Sequence, residues 1–273
     1  LPQGEITSNT NKKCPVPNYY WKVLLKVKRD SDGKVKSASS VGFWFEHKSY
    51  KDTGKKFDFI LADLGVSSMQ IDNPDRGFSY KVDGPLDLRM NPEKGLSAQA
   101  FLKTASKEAL VGAIRDAGEE PQWRSVVNGV LAHRDTETWD TTLEFVHFLE
   151  THTAVNRSKK PGIHAATRVF QGLRIAVNQE LEHLQIGIKK AFETLTKQGI
   201  LAIITFHSLE DRIVKEIFRK YSEVDKNLSK LPFIPEEYLP KYRVISKGIV
   251  ATDSELEVNS RAHSARLRVL ERI

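Results

Sequence analysis

The sequence predicts an α/β protein in which strands and long helices alternate, with an inserted helical subdomain and a β-hairpin in front. Three observations carry that class. Two short apolar runs, at 57–63 and 199–206, have the look of buried parallel strands. Between them, Phe170, Leu173, Val177, Leu181, Leu184, Ile188, Phe192 and Leu195 recur at spacings of three and four, which is one apolar stripe on a helix. After them, Arg266-Leu-Arg-Val-Leu-Glu-Arg272 alternates as a last strand does. Strand, helix, strand, helix, strand is the order of a doubly wound sheet.

Each element has a local reason. Residues 1–17 are polar, contain Pro2, Pro15 and Pro17, and read as loop. Tyr20-Trp-Lys-Val-Leu-Leu-Lys-Val-Lys28 is rich in aromatic and β-branched residues, Asp30-Ser-Asp-Gly-Lys34 is a turn signal, and 37–45 returns, so the three form a hairpin. A charged linker follows at 48–56. The strand at 57–63 ends in Asp63, with Gly65 just beyond. Residues 66–95 read as loop, punctuated by Asn73-Pro74, Gly77, Gly84-Pro85 and Gly95. Ser97 is a helix cap, and the helix it opens is expected to run to about Gly118 through Leu102, Leu110 and Ile114. A second amphipathic segment spans 141–152. The stretch 167–195 is expected as one long helix, and Ser208 as the cap of the next, with Asp211 three residues on completing a near capping box. That helix turns Ile213, Val214, Ile217 and Phe218 inward. Residues 222–260, with Pro232, Pro235 and Pro240, read as irregular. The expected division is 1–56 as a basic hairpin segment, 57–96 with 161–273 as the sheet part, and 97–160 as the helical insertion.

Composition removes several function classes. The 273 residues are 40% hydrophobic and 28% charged, ordinary for a folded chain. The longest apolar stretch, 199–206, is far short of the ~20 residues of a membrane helix. No basic region followed by an apolar run marks a secretory signal. Because Leu1 is not Met, a fragment or processed product is expected. The lone Cys14 excludes an internal disulfide and a Cys-rich zinc module. The net charge is +7, but its location matters. Residues 1–56 hold 12 Lys+Arg against 5 Asp+Glu, leaving 30 of each for residues 57–273. Overall basicity therefore says nothing about nucleic-acid binding by the larger part.

Ligands of open α/β sheets bind beyond the strand ends, and two ends are marked: Asp63-Leu-Gly-Val-Ser-Ser-Met-Gln70 and Phe206-His-Ser-Leu-Glu-Asp211. A carboxylate at a strand tip can accept from a ribose hydroxyl or an amine; Asp63 fits a turn-former or cap equally well. Ser208 reads first as a cap, and His207 as a substrate contact or a satisfied core histidine. His207, Ser208 and Asp211 are too close in sequence for a nucleophile–base–orienter relay, and no Gly-x-Ser-x-Gly elbow occurs. His207, Glu210 and Asp211 match no recurring metal-ligand spacing. The loop 76–90 is dense in Gly, Asp and Arg and long for a mere connection. Arg168 and Arg174, six apart, do not closely share a helix face, so one of them reads as structural.

From 57 to 273 the sequence resembles the bacterial small-subunit ribosomal RNA cytosine-N4 methyltransferases of the MraW/RsmH type. The matching segments are Asp63-Leu-Gly-Val-Ser-Ser-Met-Gln70, Arg76-Gly-Phe-Ser79, Asp83-Gly-Pro-Leu-Asp-Leu-Arg-Met90, His164-Ala-Ala-Thr-Arg-Val-Phe-Gln-Gly-Leu-Arg-Ile-Ala-Val-Asn178, Phe206-His-Ser-Leu-Glu-Asp-Arg-Ile-Val-Lys215 and Ser264-Ala-Arg-Leu-Arg-Val-Leu-Glu-Arg272. The resemblance implies a Rossmann-like domain using S-adenosylmethionine, acting on ribosomal RNA in the cytoplasm. It implies that Asp63 and Gln70 contact the methyl donor. Asp63 is also the expected catalytic carboxylate, touching the donor, the amine or both. Ser67, Ser68, Arg168, His207 and Ser208 are the candidate substrate contacts; no metal ligand is expected.

One part of the family pattern is not found. The family opens with a strand, a Gly-rich loop and a helix that hold the methionine end of the donor. Before Phe57 stand only Gly4, Gly33, Gly42 and Gly54, none of them clustered. The expectation is an incomplete sheet with impaired activity, whose open edges favour pairing with another chain in a homo-oligomer. The segments 14–25 and 40–45 resemble part of the DNA/RNA non-specific endonucleases, without their Asp-Arg-Gly-His motif, so no nuclease activity is expected. A competing function class is a non-catalytic nucleic-acid-binding module built on the hairpin's Tyr19, Tyr20, Trp21, Phe43, Trp44 and Phe45; the plainer reading makes those rings the hairpin's own core.

Overall fold

The computed structural model describes residues 20–29, 35–45, 56–153, 165–225 and 227–273, with backbone alone for the first two stretches and for Ser68 and Met69. The expectations for 1–17, 30–34, 48–55 and His164, and for the hairpin's aromatic side chains, lie outside those residues. Strand β1 (Tyr20–Arg29) pairs antiparallel with β2 (Val35–Phe45), with Trp21 opposite Trp44, which is the hairpin expected. The main sheet has four strands: β3 (Phe57–Asp63), β4 (Leu195–Thr205), β5 (Tyr242–Val250) and β6 (Arg266–Arg272). Their order is β3-β4-β6-β5. β3 and β4 run parallel; β6 lies antiparallel to β4, and β5 antiparallel to β6. The α/β class holds, with the parallel part confined to β3 and β4.

Helices fill the intervals. A short α1 (Ser68–Asp72) follows β3. The insertion holds α2 (Ala98–Thr104), α3 (Lys107–Val111), a π-helical turn (Gly112–Ala117), α4 (Trp123–His133) and α5 (Thr142–His152). The single helix expected from Ser97 to Gly118 is thus two helices and a π turn. Ser97 caps α2 as expected, but Ser106 supplies a second cap, to Ala109 N–H, and restarts the helix. A side chain that bonds its own backbone competes with helix continuation.

The long helix expected at 167–195 is also two: α6 (Ala165–Asn178) and α7 (Glu180–Thr194). Gln179 breaks it with a left-handed backbone, φ 50°. The break sends one stripe into two cores. Phe170 and Leu173 pack with the helical insertion, alongside Leu110, Ile114, Val126, Phe145 and Leu149. Leu184, Ile188 and Phe192 pack under the sheet against Leu201, Ile203, Val214 and Phe218. Leu195, counted in the stripe, is the first residue of β4. Residues 222–260, expected to be irregular, contain β5 and a short α9 (Asp253–Val258). β5 was hidden because it is a one-sided edge strand that follows three prolines and is interrupted at Gly248, whose φ is 130°. After β4 comes α8 (Ser208–Ser222).

The loop 74–90 is packed tightly and buries two leucines. Leu86 and Leu88 are about as buried as any residue, in the helical core. Leu88 holds a positive φ of 60°, a cost of roughly 1–3 kcal/mol at a non-glycine residue. Asn178 clamps it: its amide donates to Leu88 O (2.8 Å) and its carbonyl accepts from Met90 N–H (2.7 Å). Arg76 is buried beneath, donating to Arg89 O (3.0 Å) and Met90 O (2.9 Å).

Helix α6 meets the π turn at Gly172, where a Cβ would stand 2.1 Å from Ala113 O and 2.8 Å from Gly118 N. Backbone atoms cannot yield, so Gly172→Ala should destabilise the fold by about 2–3 kcal/mol or more. Gly187 in α7 has open space where a Cβ would lie, so Gly187→Ala should stabilise by about 0.5–1 kcal/mol through helix propensity. Urea unfolding of both variants checks the pair; equal effects would mean that α6 does not pack as described.

Candidate active site

The parallel ladder puts the two marked strand ends side by side. Asp63 is the register partner of Ile204, and Leu64 N–H continues the ladder to Ile204 O at 3.1 Å. Gly65 then takes φ 88°, and a Cβ there would lie 3.7 Å from the Phe206 ring. The chain can turn there at no steric cost because the residue is glycine. Asp63 is exposed at this end, beside the point where β4 passes into α8.

On the β3 side, Ser67 and Gln70 form a capping box around the start of α1. The Ser67 hydroxyl accepts from Gln70 N–H (3.3 Å), and Gln70 Oε1 accepts from Ser67 N–H (2.9 Å). Gln70 is buried. With its carbonyl oxygen engaged, its amide N–H groups are the end that can reach a ligand. Ser68 is the first residue of α1; its side chain lies outside those described.

On the β4 side the expected cap is displaced by one residue. His207, not Ser208, caps α8, with Nδ1 accepting from Glu210 N–H at 3.5 Å. Ser208 is the first helical residue, exposed, and its hydroxyl donates to Glu119 Oε2 at 2.9 Å. Nor does Asp211 close a capping box. It forms a two-pronged pair with Arg268 of β6, at 2.6 and 2.8 Å. Glu210 closes no capping box either, but reaches back one residue further: buried, its Oε2 accepts Phe206 N–H (2.9 Å) and its Oε1 stands 3.1 Å from His207 Nε2. The slip of one has a simple cause, since an imidazole nitrogen can accept as a serine oxygen does. Burial pushes the Glu210 carboxyl up, but the His207 ring, the Phe206 N–H and the Arg174 charge together outweigh it and hold it below the ordinary carboxylate value. Asp211 is held down likewise, burial being outweighed mainly by Arg268.

Both arginines of α6 meet a carboxylate. Arg174 is structural: it spans the break between α6 and α7 in a two-pronged pair with Glu180, at 2.8 and 3.0 Å. Arg168 lies one helix face away, its Nη1 3.6 Å from Glu120 Oε2. The turn Gly118-Glu119-Glu120, at the end of the π turn, connects these groups. Gly118 lies against the Arg168 carbonyl, where a Cβ would be at 2.7 Å. Glu119 holds φ 51° and binds Ser208 and, at 3.4 Å, Arg212 of α8. The structure thus brings Asp63, Ser67 and Gln70 to one side of the β3/β4 end and His207 and Ser208 to the other. Arg168 joins through the insertion's Glu119 and Glu120.

Sequence reasoning missed Glu119 and Glu120, and weighed Glu210 only as a metal ligand. For Glu210 the signal was available, as an acid three residues after His207. For the other two it was faint: an acidic pair between Gly118 and Pro121. Among the described residues, no group of three or more His, Cys, Asp or Glu is placed to hold a metal ion, and no helix is long and apolar enough to cross a membrane.

Comparison with known proteins gives the family. A family model described as the MraW methylase family matches residues 28–273, beginning inside β1. Two curated relatives are the ribosomal RNA small subunit methyltransferase H proteins of Xylella fastidiosa strains M23 and Temecula1. Each is 42% identical over 223 residues, covering 80% of this chain and 70% of its own length.

A carboxylate whose folded-state pKa is depressed stabilises the fold above its ordinary range, and loses that contribution as pH falls through the lower folded value. For Glu210 the window opens below about pH 4. Stability of the native chain should therefore fall more steeply between about pH 5 and 3 than that of Glu210→Gln, in urea unfolding followed at each pH. Parallel curves would show that Glu210 is not held ionised at the β4 tip.

Proposed function

Since the chain belongs to the MraW methylase family, we propose that it transfers a methyl group from S-adenosylmethionine to N4 of a cytosine in small-subunit ribosomal RNA, in the cytoplasm. The observation that carries this reading is the adjacency of the Asp63 and Phe206–His207 strand ends. A donor and a pyrimidine need neighbouring sites, and two parallel strand tips provide them.

The residues present fit the donor from one side. Asp63 and the Gln70 amide would hold it along the β3 edge, and when bound there it supplies an electrophilic methyl carbon. The cytosine amine is a poor nucleophile because its lone pair is delocalised into the ring. An acceptor such as Asp63 orients the N–H groups, freeing the lone pair to attack in line. With the donor bound, the methyl carbon would pass from sulfur, which keeps the bonding electron pair, to N4, and Asp63 or water would take the one proton that N4 gives up. To the base and its phosphates we assign Ser67 and Ser68 at the start of α1, His207 and Ser208 at the β4 tip, and Arg168 of α6.

Donor affinity is the weak point, because no clustered glycines precede Phe57 to hold the methionine end. Calorimetric titration with S-adenosylmethionine should give a Kd weaker than about 100 μM. Low-micromolar binding would overturn that expectation and leave the reaction itself standing. With millimolar radiolabelled donor and small ribosomal subunits, label should appear on N4 of a cytosine, and Asp63→Asn should lower the rate about 10²- to 10³-fold. Label at another atom, or none at any donor concentration, would remove the reading.

A further inference from the structure

We propose that Glu120 is a positioning residue that aims the Arg168 guanidinium at a phosphate of the RNA substrate, an inference that rests on the methyltransferase reading above. Glu120 is 2% exposed. Its Oε1 accepts from Gln122 N–H at 2.9 Å. Its Oε2 is buried and makes no hydrogen bond among the described residues; its neighbour is Arg168 Nη1, at 3.6 Å. A buried carboxylate in so loose a pair is a poor stabilising device, since desolvation offsets most of the attraction. The asymmetry of the pair is what points outward. The Glu120 side chain is 1% exposed, whereas that of Arg168 is 31% exposed. A guanidinium has five N–H donors in a rigid fork, so a single distant carboxylate oxygen leaves most of them to meet a ligand.

The location suits a phosphate beside the reacting base. Glu120 and Glu119 are consecutive, and Glu119 is bonded to Ser208, the residue after His207 at the β4 tip. Glu119 holds its positive φ to do so. The Gly118-Glu119-Glu120 turn therefore ties Arg168 to the active end of the sheet. A planar fork held from behind by a carboxylate is the arrangement that favours two-pronged contact with phosphate oxygens.

The sign of one substitution separates positioning from simple charge. Glu120→Gln removes a negative charge from a surface that meets RNA, so electrostatics alone would tighten binding or leave it unchanged. Positioning predicts the reverse. Fluorescence anisotropy with a labelled single-stranded RNA of small-subunit sequence, over a salt series, reads it out without requiring turnover. Glu120→Gln should weaken binding about five- to tenfold. Arg168→Met should weaken it at least as much and lower the salt slope by about 0.7, the value of one single-strand phosphate. In the Arg168→Met background, Glu120→Gln should have no further effect. Tighter or unchanged binding by Glu120→Gln, or an equal loss in both backgrounds, overturns the proposal. If Glu120→Gln lowers the thermal midpoint by more than a few degrees, Arg168→Lys decides. It keeps the charge but not the fork, and should lose several-fold affinity at an unchanged slope; unchanged affinity overturns the proposal. Failure of the native chain to bind the RNA at all would count against the methyltransferase reading as well, whereas native binding with an indifferent Glu120→Gln counts against the positioning role alone.

Discussion

The parallel ladder between β3 and β4 is the constraint on which the active end depends. Because Asp63 is in register with Ile204, both strands finish at the same level, and two segments 141 residues apart in the chain deliver their polar ends to one place. Local bonds then arrange the groups next to each tip: a capping box on the β3 side, and an imidazole cap with a buried carboxylate on the β4 side. Neither arrangement needs the other to form. The ladder alone brings them together.

A second constraint joins the insertion to the sheet. The left-handed Gln179 lets α6 serve the helical core and α7 the sheet core. Arg174 with Glu180 and Asn178 with Leu88 hold the break closed from two directions. A third tie runs through Glu119 to Ser208 and Arg212. A small apolar cluster of Ala117, Ile175 and Leu209 packs across the boundary between the two cores, and these directional polar contacts add to it. The positive φ values at Leu88, Glu119 and Gln179 fall at these ties, where the surrounding bonds offset a backbone cost.

The loop 74–90 shows how a functional appearance can have a structural cause. The Gly, Asp and Arg content of residues 76–90, and their length, read as more than a connection. Gly77 and Gly84 are instead required by close backbone approach: a Cβ at either would lie 2.0 Å from a carbonyl oxygen. Arg76 and Asn178 are consumed in holding the main chain. Buried main-chain groups need partners, and in a loop without regular structure side chains must supply them.

The amino-acid sequence by itself determined the α/β class, the hairpin, the two strand ends and the helical cap at Ser97, because each rests on contacts within a few residues. It also marked Asp63, Gln70, His207, Ser208 and Arg168 as residues to look for. Only the tertiary structure decided where the long stripe breaks, since one left-handed residue leaves a three-and-four periodicity intact. It alone showed that His207 caps α8 while Asp211 turns to Arg268, because the competition was settled by an arginine on a strand 57 residues away. Glu119 and Glu120 were likewise invisible beforehand: an acidic pair in a turn looks solvated until the elements on either side of it are known.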